Sequence, residues 1–320
     1  MNKIICLVAG DPNSINSEII FKSWKKLDHS IKKRIILIAN YELFVKQKKK
    51  LKYKTNLSKI NDIEKISNDT NLKILNYPLK FSNCFKIPKV NTSKYVKGSL
   101  NLAHELCKRK KIKGFVNCPI DKNLVKTKSV HGVTEFLGKK NLSKKFSEVM
   151  FLYNQNLSVT PITTHIKIKD ISKFIKKDLI IKKIKTLVFY YKKLFNKKPK
   201  IAVLGLNPHN SELEKNSEEM RIIIPAISKL KKYANISGPL VPDNFFKYDY
   251  KKYDVVVGMY HDQVLIPFKN FFKFNAINIT LGLKYIRISP DHGTAKDIIC
   301  KNKADPTSLL ECIKFLSKLK

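Results

Sequence analysis

The chain has 320 residues, of which 43% are hydrophobic, and its 64 basic side chains against 25 acidic ones give a formal net charge of +39. This length and apolar content allow a large buried core, and they favour two domains or one large α/β unit over a disordered or fibrous chain. No apolar stretch approaches the roughly 20 residues of a membrane span, and the first residues enter a strand-like run without a signal-peptide pattern, so we expect a cytoplasmic protein with no membrane partner.

The excess positive charge raises the question of a nucleic-acid partner. Only four of the 64 basic residues are arginine, whereas base-reading and phosphate-clamping surfaces depend on the bidentate arginine side chain. The lysines are spread over the whole chain and do not form one basic stripe with interleaved aromatic residues. Glycine is scarce, with 10 residues in 320, which indicates a general compositional drift. We therefore expect solvated lysine-rich faces and no specific nucleic-acid partner.

Strands and helices are predicted to alternate along the chain. Short, mostly β-branched apolar runs predict nine strands, at residues 4–9, 34–39, 72–75, 114–117, 148–153, 159–163, 201–206, 253–259 and 276–280. Amphipathic segments predict helices at 93–108, 170–176, 178–195, 218–233 and 306–319. Unbroken apolar strands are buried on both faces, so the pattern predicts an α/β fold with a parallel or mixed sheet covered by helices. Residues 46–71 have weak periodicity, and we expect a surface excursion without chemistry there.

Three histidines stand in unusual strings at predicted strand ends: Thr163-Thr164-His165, Asn207-Pro208-His209 and Met259-Tyr260-His261-Asp262-Gln263. α/β proteins place their chemistry at the carboxyl ends of strands. One histidine there is more often a hydrogen-bonded structural residue, but three in matching contexts favour a metal with three protein ligands, which is the catalytic arrangement. Their wide spacing excludes a local motif, so only a folded sheet, or two chains meeting, could bring them together.

Further strings carry a resemblance to a known family. They are Gly10-Asp11-Pro12, Asn117-Cys118-Pro119-Ile120-Asp121-Lys122, Gly132-Val133-Thr134-Glu135-Phe136-Leu137, Gly205-Leu206-Asn207-Pro208-His209, Gly238-Pro239, Asn278-Ile279-Thr280-Leu281-Gly282-Leu283 and Asp291-His292-Gly293-Thr294-Ala295. Together with the histidine strings they resemble, in order, the motifs of 4-hydroxythreonine-4-phosphate dehydrogenases. The likeness runs from about residue 4 to residue 308.

The resemblance implies an architecture and a set of partners. The expected fold is α/β and similar to isocitrate and isopropylmalate dehydrogenases, with two α/β domains and a cleft between them. One domain would comprise residues 1–128 and 296–320, and the other, residues 129–295, would carry most metal and substrate residues. A homodimer with active sites at the subunit interface, NAD or NADP as oxidant, and one divalent metal ion (Zn, Mn, Co or Mg) are implied as well.

The resemblance also assigns residues to roles. His165, His209 and His261 would hold the metal, and Asp262 would fix an imidazole tautomer or relay a proton, the alternative being that it only caps the following helix. The substrate residues would be Thr134, Lys269, Asn278 and Arg287. The cofactor residues would be Asp11, Asn207, His292, Gly293 and Asp297. The assignment of Arg287 has the strongest support, because arginine is rare in this chain, with four residues, and one of them lies at a position where the resemblance implies anion binding.

The implied reaction is an oxidative decarboxylation in pyridoxal phosphate biosynthesis. The C3 hydroxyl of 4-phosphooxy-L-threonine is oxidised by hydride transfer to NAD(P), and the resulting β-keto acid loses CO₂ to give 3-amino-2-oxopropyl phosphate. A bound metal would lower the hydroxyl pKa and then polarise the new carbonyl. Two alternatives remain: a dehydrogenase of another phosphorylated four-carbon hydroxy acid, such as threonate or erythronate phosphate, and a non-catalytic polyanion-binding protein on the same scaffold.

The chain departs from the family motifs in its glycines and in one histidine. Ser14 and Asn16 stand at two glycine positions, Asn210-Ser211-Glu212 replaces Ala-Gly-Glu, and Ile299-Cys300-Lys301-Asn302 replaces Ala-Gly-Lys-Gly. These losses bear on the cofactor pose, because such glycines allow close backbone approach or positive φ. Val133 stands where relatives have a substrate-contacting histidine, and His131, two residues earlier, either replaces it or is merely exposed.

Overall fold

The structure is a computed structural model that describes residues 4–127, 132–141 and 146–319. Its strands are β1 (Ile5–Val8), β2 (Ile35–Ala39), β3 (Leu57–Ile60), β4 (Leu72–Asn76), β5 (Gly114–Asn117), β6 (Val149–Tyr153), β7 (Ser158–Pro161), β8 (Lys200–Leu204), β9 (Asn235–Leu240), β10 (Val255–Gly258), β11 (Ile277–Leu281) and β12 (Ile286–Pro290). Its α-helices are α1 (Asn16–Lys26), α2 (His29–Lys32), α3 (Tyr41–Lys50), α4 (Lys89–Lys108), α5 (Val133–Asn141), α6 (Ile171–Phe174), α7 (Lys177–Phe195), α8 (Ile224–Leu230), α9 (Pro242–Tyr248), α10 (His261–Phe272) and α11 (Thr307–Lys318).

The chain forms two compact units, and the first, unit 1, comprises Met1–Leu137 and Tyr285–Lys320. Its strands are arranged in the order β3-β4-β2-β1-β5-β12, and each neighbouring pair is parallel. All five residues of β2 are 0% exposed. Strands that are buried in this way are covered on both faces, which explains why they read as unbroken apolar runs in the sequence.

Unit 2 comprises Gly138–Lys284. Its strands follow the order β11-β6-β7-β10-β8-β9. β6 is antiparallel to both of its neighbours, whereas β7, β10, β8 and β9 are parallel to one another. Leu152, Val159, Leu204, Val256 and Phe268 belong to one buried cluster of this unit. The four parallel strands place their carboxyl ends along one edge, where the histidine strings begin.

The predicted α/β class is confirmed, and each of the nine predicted strands is present. The elements that the sequence did not predict include β3, β9 and β12 and the helices α1, α2, α3, α5 and α9. β3 lies inside the segment 46–71, which was expected to be a surface excursion. It is half-exposed, and its pattern Leu57-Ser58-Lys59-Ile60 lacks the unbroken apolar run of a central strand. Of the predicted helix at 170–176, only α6 forms, after a short 3₁₀ turn.

The units divide the sequence at positions that differ from the predicted domain boundaries. The chain passes from one unit to the other between residues 137 and 138 and again between residues 284 and 285, whereas the predicted boundaries are 128/129 and 295/296. Thr134 and Arg287 consequently belong to unit 1. The three histidines belong to unit 2. None of the described helices is both long enough and apolar enough to cross a membrane.

Candidate active site

The three histidines follow the carboxyl ends of three neighbouring parallel strands in unit 2. His165 follows β7, His261 follows β10, and His209 follows β8. β10 is the central strand of the three, because it pairs with β7 on one side and with β8 on the other. The prediction that all three histidines lie at strand ends is therefore confirmed.

Two of these histidines lie side by side. The ring centroids of His165 and His261 are 5.8 Å apart, with the ring planes tilted by 39°. Two imidazoles that bind one ion have centroids roughly 5 to 6 Å apart, since each ligating nitrogen lies about 2.0 Å from Zn²⁺ in a near-tetrahedral arrangement. The side chain of His261 is 31% exposed, and His165 is exposed. The pair is therefore open to solvent and has the donor chemistry and spacing that suit a divalent ion.

His209 lies apart from this pair on an unusual turn. Its φ is 49°, and the next four residues also have positive φ, between 46° and 58°, although none of them is glycine. Over residues 4–127, 132–141 and 146–319, no three His, Cys, Asp or Glu side chains are grouped so that they could hold a metal ion. His209 is exposed and does not join His165 and His261 in such a group, so the three-histidine cluster expected from the sequence is not assembled among the described residues.

Hydrogen bonds nevertheless tie the three strand ends together. The carbonyl of Met259, at the end of β10, accepts hydrogen bonds from the amide N–H (3.1 Å) and hydroxyl (2.8 Å) of Thr163. The Met259 N–H donates to Oε1 of Gln263 (2.7 Å), and Nε2 of Gln263 donates to the carbonyl of Gly205 (2.7 Å). One backbone position and one glutamine side chain thereby connect the segments that carry His165, His261 and His209.

A buried glutamate holds the chain just before His209. Glu219 is 0% exposed, and its Oε1 accepts hydrogen bonds from the N–H groups of Leu206 (2.8 Å) and Asn207 (2.9 Å). The side-chain amide of Asn207 donates to Oε2 of Glu219 (3.0 Å) and to Oε2 of Glu218 (2.9 Å). Burial raises the pKa of Glu219, but these hydrogen bonds outweigh it and hold the pKa below its usual value. Glu219 is therefore an anion at neutral pH.

Glu219 also lies in an irregular stretch of helix. The segment Glu219–Ile223 is a π-helical turn at the start of α8. Such turns occur frequently at functional sites. The sequence pattern predicts only the start of a helix in this region, and the roles of Glu219 and Gln263 were not predicted. Gln263 was already visible as the last residue of an unusual string, whereas no local pattern marked Glu219.

Asp262 contacts its neighbour directly. Its Oδ1 lies 2.7 Å from Nδ1 of His261. A carboxylate at Nδ1 holds the proton there and leaves Nε2 as the ligating nitrogen. The alternative was that Asp262 caps the helix, but the N-cap of α10 is Tyr260, which makes no side-chain capping bond. As an acid in the first turn, Asp262 still interacts favourably with the helix dipole.

Two of the predicted substrate residues lie in unit 2. Asn278 is on β11, and its Oδ1 is buried without a hydrogen-bond partner among the described residues. A buried acceptor without a partner costs free energy, which a ligand donor can recover. Lys269 lies in the last turn of α10 and is exposed.

The other two predicted substrate residues lie in unit 1. Arg287, on β12, is 4% exposed, and its Nε donates to Oδ1 of Asn117 (2.6 Å). Burial lowers the pKa of Arg287 to about 10, so the guanidinium is still charged at neutral pH. Thr134 lies in the first turn of α5, beside Val133, and both are half-buried. His131 lies outside the described residues.

The cofactor residues expected from the sequence lie in varied surroundings. Asp11 is 1% exposed, and its carboxylate accepts a hydrogen bond from the N–H of Asn13 (2.9 Å). Burial raises the pKa of Asp11 above its ordinary value. In contrast, Gly293 and Asp297 are exposed. His292 places Nδ1 3.0 Å from the carbonyl of Gly293. Asn207, the fifth expected residue, uses its side-chain amide for the glutamate contacts described above.

The positions that lack the family glycines fall into two groups. Ser14 and Asn16 do not have positive φ, so the first loop does not need glycine for its backbone conformation. Ser211 (φ 49°), Cys300 (φ 62°) and Asn302 (φ 56°) are left-handed. At these three positions the backbone has the left-handed conformation that suits glycine, although the side chain present makes this conformation sterically unfavourable.

Comparisons of the sequence and of the structure with known proteins identify a family. The sequence profile of pyridoxal phosphate biosynthetic protein PdxA matches residues 31–316. A 4-hydroxythreonine-4-phosphate dehydrogenase of Aquifex aeolicus is 37% identical, covering 100% of this chain and 99% of the relative. One from Sulfurihydrogenibium is 35% identical, covering 99% and 98%. The crystal structure of the Klebsiella pneumoniae enzyme superposes with a TM-score of 0.85 at 27% identity, covering 99% of both chains.

A relative with another substrate name is also similar over the full length. The D-threonate 4-phosphate dehydrogenase of Pectobacterium atrosepticum is 29% identical and covers 100% of both chains. The fold, the strand-end histidines and these relatives together define an α/β enzyme of the dehydrogenase type. The chain belongs to the pyridoxal phosphate biosynthetic protein PdxA family, and the resemblance drawn from its motifs is confirmed.

Proposed function

We propose that this protein is a cytoplasmic dehydrogenase that oxidises 4-phosphooxy-L-threonine with NAD or NADP and releases CO₂ to form 3-amino-2-oxopropyl phosphate. The observation that carries the proposal is the placement of three histidine strings on three adjacent strand ends in a chain of this family. Bound NAD or NADP would supply the oxidant, accepting a hydride from C3 of the substrate while the C3 hydroxyl gives up a proton. In the second step, the bond between C2 and the carboxylate breaks, CO₂ leaves, the electron pair moves toward the C3 carbonyl, and C2 then takes up a proton.

The metal in this proposal is a divalent ion held by His165, His261 and His209. Bound there, the ion would supply Lewis acidity, which favours loss of a hydroxyl proton and withdraws electrons from a carbonyl. The first two histidines already have a suitable spacing of 5.8 Å. Because His209 lies apart from them, the third ligand requires either a shift of its turn or a histidine from a second copy of the chain. We favour the second copy, which makes the homodimer part of the proposal.

The residues of the chain itself have defined tasks in the proposal. Asp262 keeps the proton of His261 on Nδ1, so that Nε2 would be the nitrogen that binds the metal. Arg287 would pair with an anionic group of the substrate through its planar guanidinium. Asn278 would use its unpartnered Oδ1 to accept a hydrogen bond from the substrate. Thr134 and Lys269 complete the proposed substrate contacts, and Asp11, Asn207, His292, Gly293 and Asp297 the proposed cofactor contacts.

A second candidate is a dehydrogenase of threonate or erythronate phosphate. The similarity to a D-threonate 4-phosphate dehydrogenase over the full length favours keeping it. The two substrates differ at C2, where one carries an amine and the other a hydroxyl.

The experiment that tests the proposal follows NADH formation with purified protein, Zn²⁺ or Mn²⁺, and either 4-phosphooxy-L-threonine or D-threonate 4-phosphate. We expect turnover with the first substrate and release of CO₂. His261→Ala should abolish it. The matched control is His29→Ala, which removes an exposed histidine on α2. Turnover with threonate phosphate alone would replace the first candidate with the second.

A further inference from the structure

A second candidate binding site lies in unit 1, and of the left-handed positions described above Cys300 and Asn302 belong to its lining. An open pocket of about 760 Å³ is formed by the last part of α1, the end of α3 and the segment 300–306 before α11. Helices that connect parallel strands run back toward the amino ends of the strands. The ends of α1 and α3 therefore lie at the opposite edge of the sheet from the strand ends that precede Asp11 and His292. None of the proposed catalytic or cofactor residues lines this pocket.

The wall between α1 and the 300–306 segment is fixed by hydrogen bonds. Nζ of Lys22 donates to Oε1 of Glu18 (2.9 Å) and to the carbonyls of Asn302 (2.9 Å) and Ala304 (2.8 Å). Oε1 of Glu18 also accepts from the N–H of Ala304 (2.8 Å). Glu18 is 1% exposed, so this ion pair is shielded from solvent. The pocket consequently has its shape before any ligand arrives.

Tyr53 is the one aromatic residue among those that line the pocket. It stacks on Phe21, with ring centroids 5.2 Å apart, and Nζ of Lys25 lies 5.2 Å from the centroid of the Tyr53 ring. The Tyr53 hydroxyl donates to Oδ1 of Asn302 (3.1 Å). These contacts fix Tyr53 in the pocket wall, and the chemistry that most of the lining offers a ligand is electrostatic.

Positive charge dominates the rim of the pocket. Five of its eleven lining residues are lysines, Lys22, Lys25, Lys26, Lys50 and Lys52. Apart from Lys22, these lysines make no ion pair with any residue that the structure describes. Asp305 is the only acidic residue within the three lining segments, and its Oδ1 accepts from the N–H of Thr307 (2.7 Å). Four cationic side chains thus surround one concave surface, and within the three lining segments they are opposed only by the Asp305 carboxylate, which interacts electrostatically with Lys26.

Helix ends and composition explain part of this charge, but not all of it. Lysines in the last turn of a helix offset the helix dipole, which accounts for Lys25, Lys26 and Lys50. Lys52 lies beyond α3, at the left-handed position that ends the helix, with φ 58°. Basic residues make up 64 of 320 positions in the whole chain, against five of eleven around the pocket. A lysine excess on a preformed concave surface is the property of an anion site.

We propose that this pocket binds the phosphate chain of an oligophosphate, either an inorganic one or that of a nucleoside triphosphate. A triphosphate carries about four negative charges, which matches the four lysines without ion pairs. The only aromatic residue in the lining, Tyr53, already stacks on Phe21 and bonds to Asn302, so we expect the phosphate chain to dominate the affinity and the inorganic and nucleoside forms to bind similarly. This inference does not depend on the proposed dehydrogenase activity.

Calorimetric titration tests the proposal at about 0.15 M salt, where weak contacts with surface lysines are screened. We expect saturable binding of one tripolyphosphate per chain, ATP within about three-fold of it, and weaker binding of orthophosphate. Lys25→Ala combined with Lys50→Ala should weaken tripolyphosphate binding at least five-fold. The matched control combines Lys229→Ala with Lys232→Ala, which removes two exposed lysines from unit 2.

Several results would overturn the proposal. One is the absence of saturable binding, and another is an equal loss of affinity in the two double variants. ATP binding more than ten-fold tighter than tripolyphosphate would show that a base is recognised instead. Displacement of tripolyphosphate by NAD would assign the pocket to the cofactor. Unchanged thermal melting of both double variants verifies that they fold, and unchanged dehydrogenase turnover in the Lys25/Lys50 variant separates this site from the proposed active site.

Discussion

Two loops of this protein carry other residues where the family resemblance places glycines, and their backbone conformations differ. In the loop after β1, Asn16 is 2% exposed, and its amide donates to the carbonyls of Ala9 (2.8 Å) and Pro119 (2.8 Å). In the turn after β8, Ser211 keeps a left-handed backbone with φ 49°. In the first loop, hydrogen bonds of the Asn16 side chain hold the backbone without positive φ. In the second, the backbone keeps a left-handed conformation that is sterically unfavourable for serine.

This difference indicates that the left-handed backbone conformation is required in the turn after β8 and not in the loop after β1. Each non-glycine residue in the left-handed region costs roughly 1 to 2 kcal/mol, and five such residues in succession persist only if their surroundings over-determine them. Glu219 and Asn207 anchor the chain on one side of this turn, and Asn210 donates to the carbonyl of Pro239 (3.1 Å) within it. The turn that carries His209 is therefore held in a strained path, as expected for a segment that positions a functional side chain.

The largest expected effect comes from removing the anchor of the strained turn. Glu219→Ala leaves the N–H groups of Leu206 and Asn207 without their buried acceptor, and we expect a loss of about 3 to 5 kcal/mol in unfolding free energy. Glu219→Gln should cost less, about 1 to 3 kcal/mol, because one carbonyl acceptor remains while its NH₂ faces the Asn207 amide. Urea unfolding measures both. If Glu219→Ala unfolds like the wild type, the turn does not depend on this residue.

The counterpart in the first loop tests the opposite response. Asn16→Gly restores the family residue but removes hydrogen bonds to two buried carbonyls, so we expect destabilisation by about 1 to 3 kcal/mol. Asn16 is also the first residue of α1, where glycine is less favourable. Thermal unfolding of the variant beside the wild type provides the measurement. A stabilised Asn16→Gly would show that this loop, too, still prefers glycine.

Restoring glycine in the strained turn should have the reverse sign. Ser211→Gly relieves the left-handed strain, less the extra entropy that glycine gives the unfolded chain, so we expect stabilisation by about 0.5 to 1 kcal/mol. The matched control is Ser228→Gly on α8, an exposed helical site where glycine should destabilise by a similar amount. The two variants are compared by chemical denaturation. If both substitutions change the unfolding free energy in the same direction, left-handed strain at Ser211 is not significant.

The smallest expected effect is a dependence on acid. The pKa of Glu219 is lowered from 4.5, so its carboxylate contributes stability that is fully present above that pH and is lost as the pH falls through the folded-state pKa. The stability difference between the wild type and Glu219→Gln should therefore shrink as the pH drops below 4.5. Unfolding midpoints measured from pH 7 downward provide the test. A gap that stays constant over this range would mean that folding does not lower the pKa of Glu219.

Much of the architecture was predictable from the sequence because apolar runs mark central parallel strands. β1, β2 and β10 are fully buried and were found by composition alone. β12 was missed because its pattern Ile286-Arg287-Ile288-Ser289-Pro290 alternates apolar residues with polar ones. The buried partner that explains Arg287 is Asn117 on β5, far away in sequence.

The candidate site was predictable in its residues but not in its geometry. The histidine strings placed His165 and His261 correctly at neighbouring strand ends. The left-handed course of the His209 turn could not be foreseen, because serine, asparagine and glutamate carry no signal for positive φ in succession. The hydrogen bonds of Glu219 and Gln263 depend on contacts between segments that only the folded unit brings together.

The bridging role of Gln263 has a consequence for the lifetime of the protein. Its amide nitrogen donates to the Gly205 carbonyl while its amide oxygen accepts from Met259. Hydrolysis of this amide to a carboxylate, a slow reaction of glutamine that heat accelerates, would place two acceptors face to face. Chemical ageing at this one side chain would uncouple the strand ends that carry the histidines, and aged molecules would differ from fresh ones by a single negative charge.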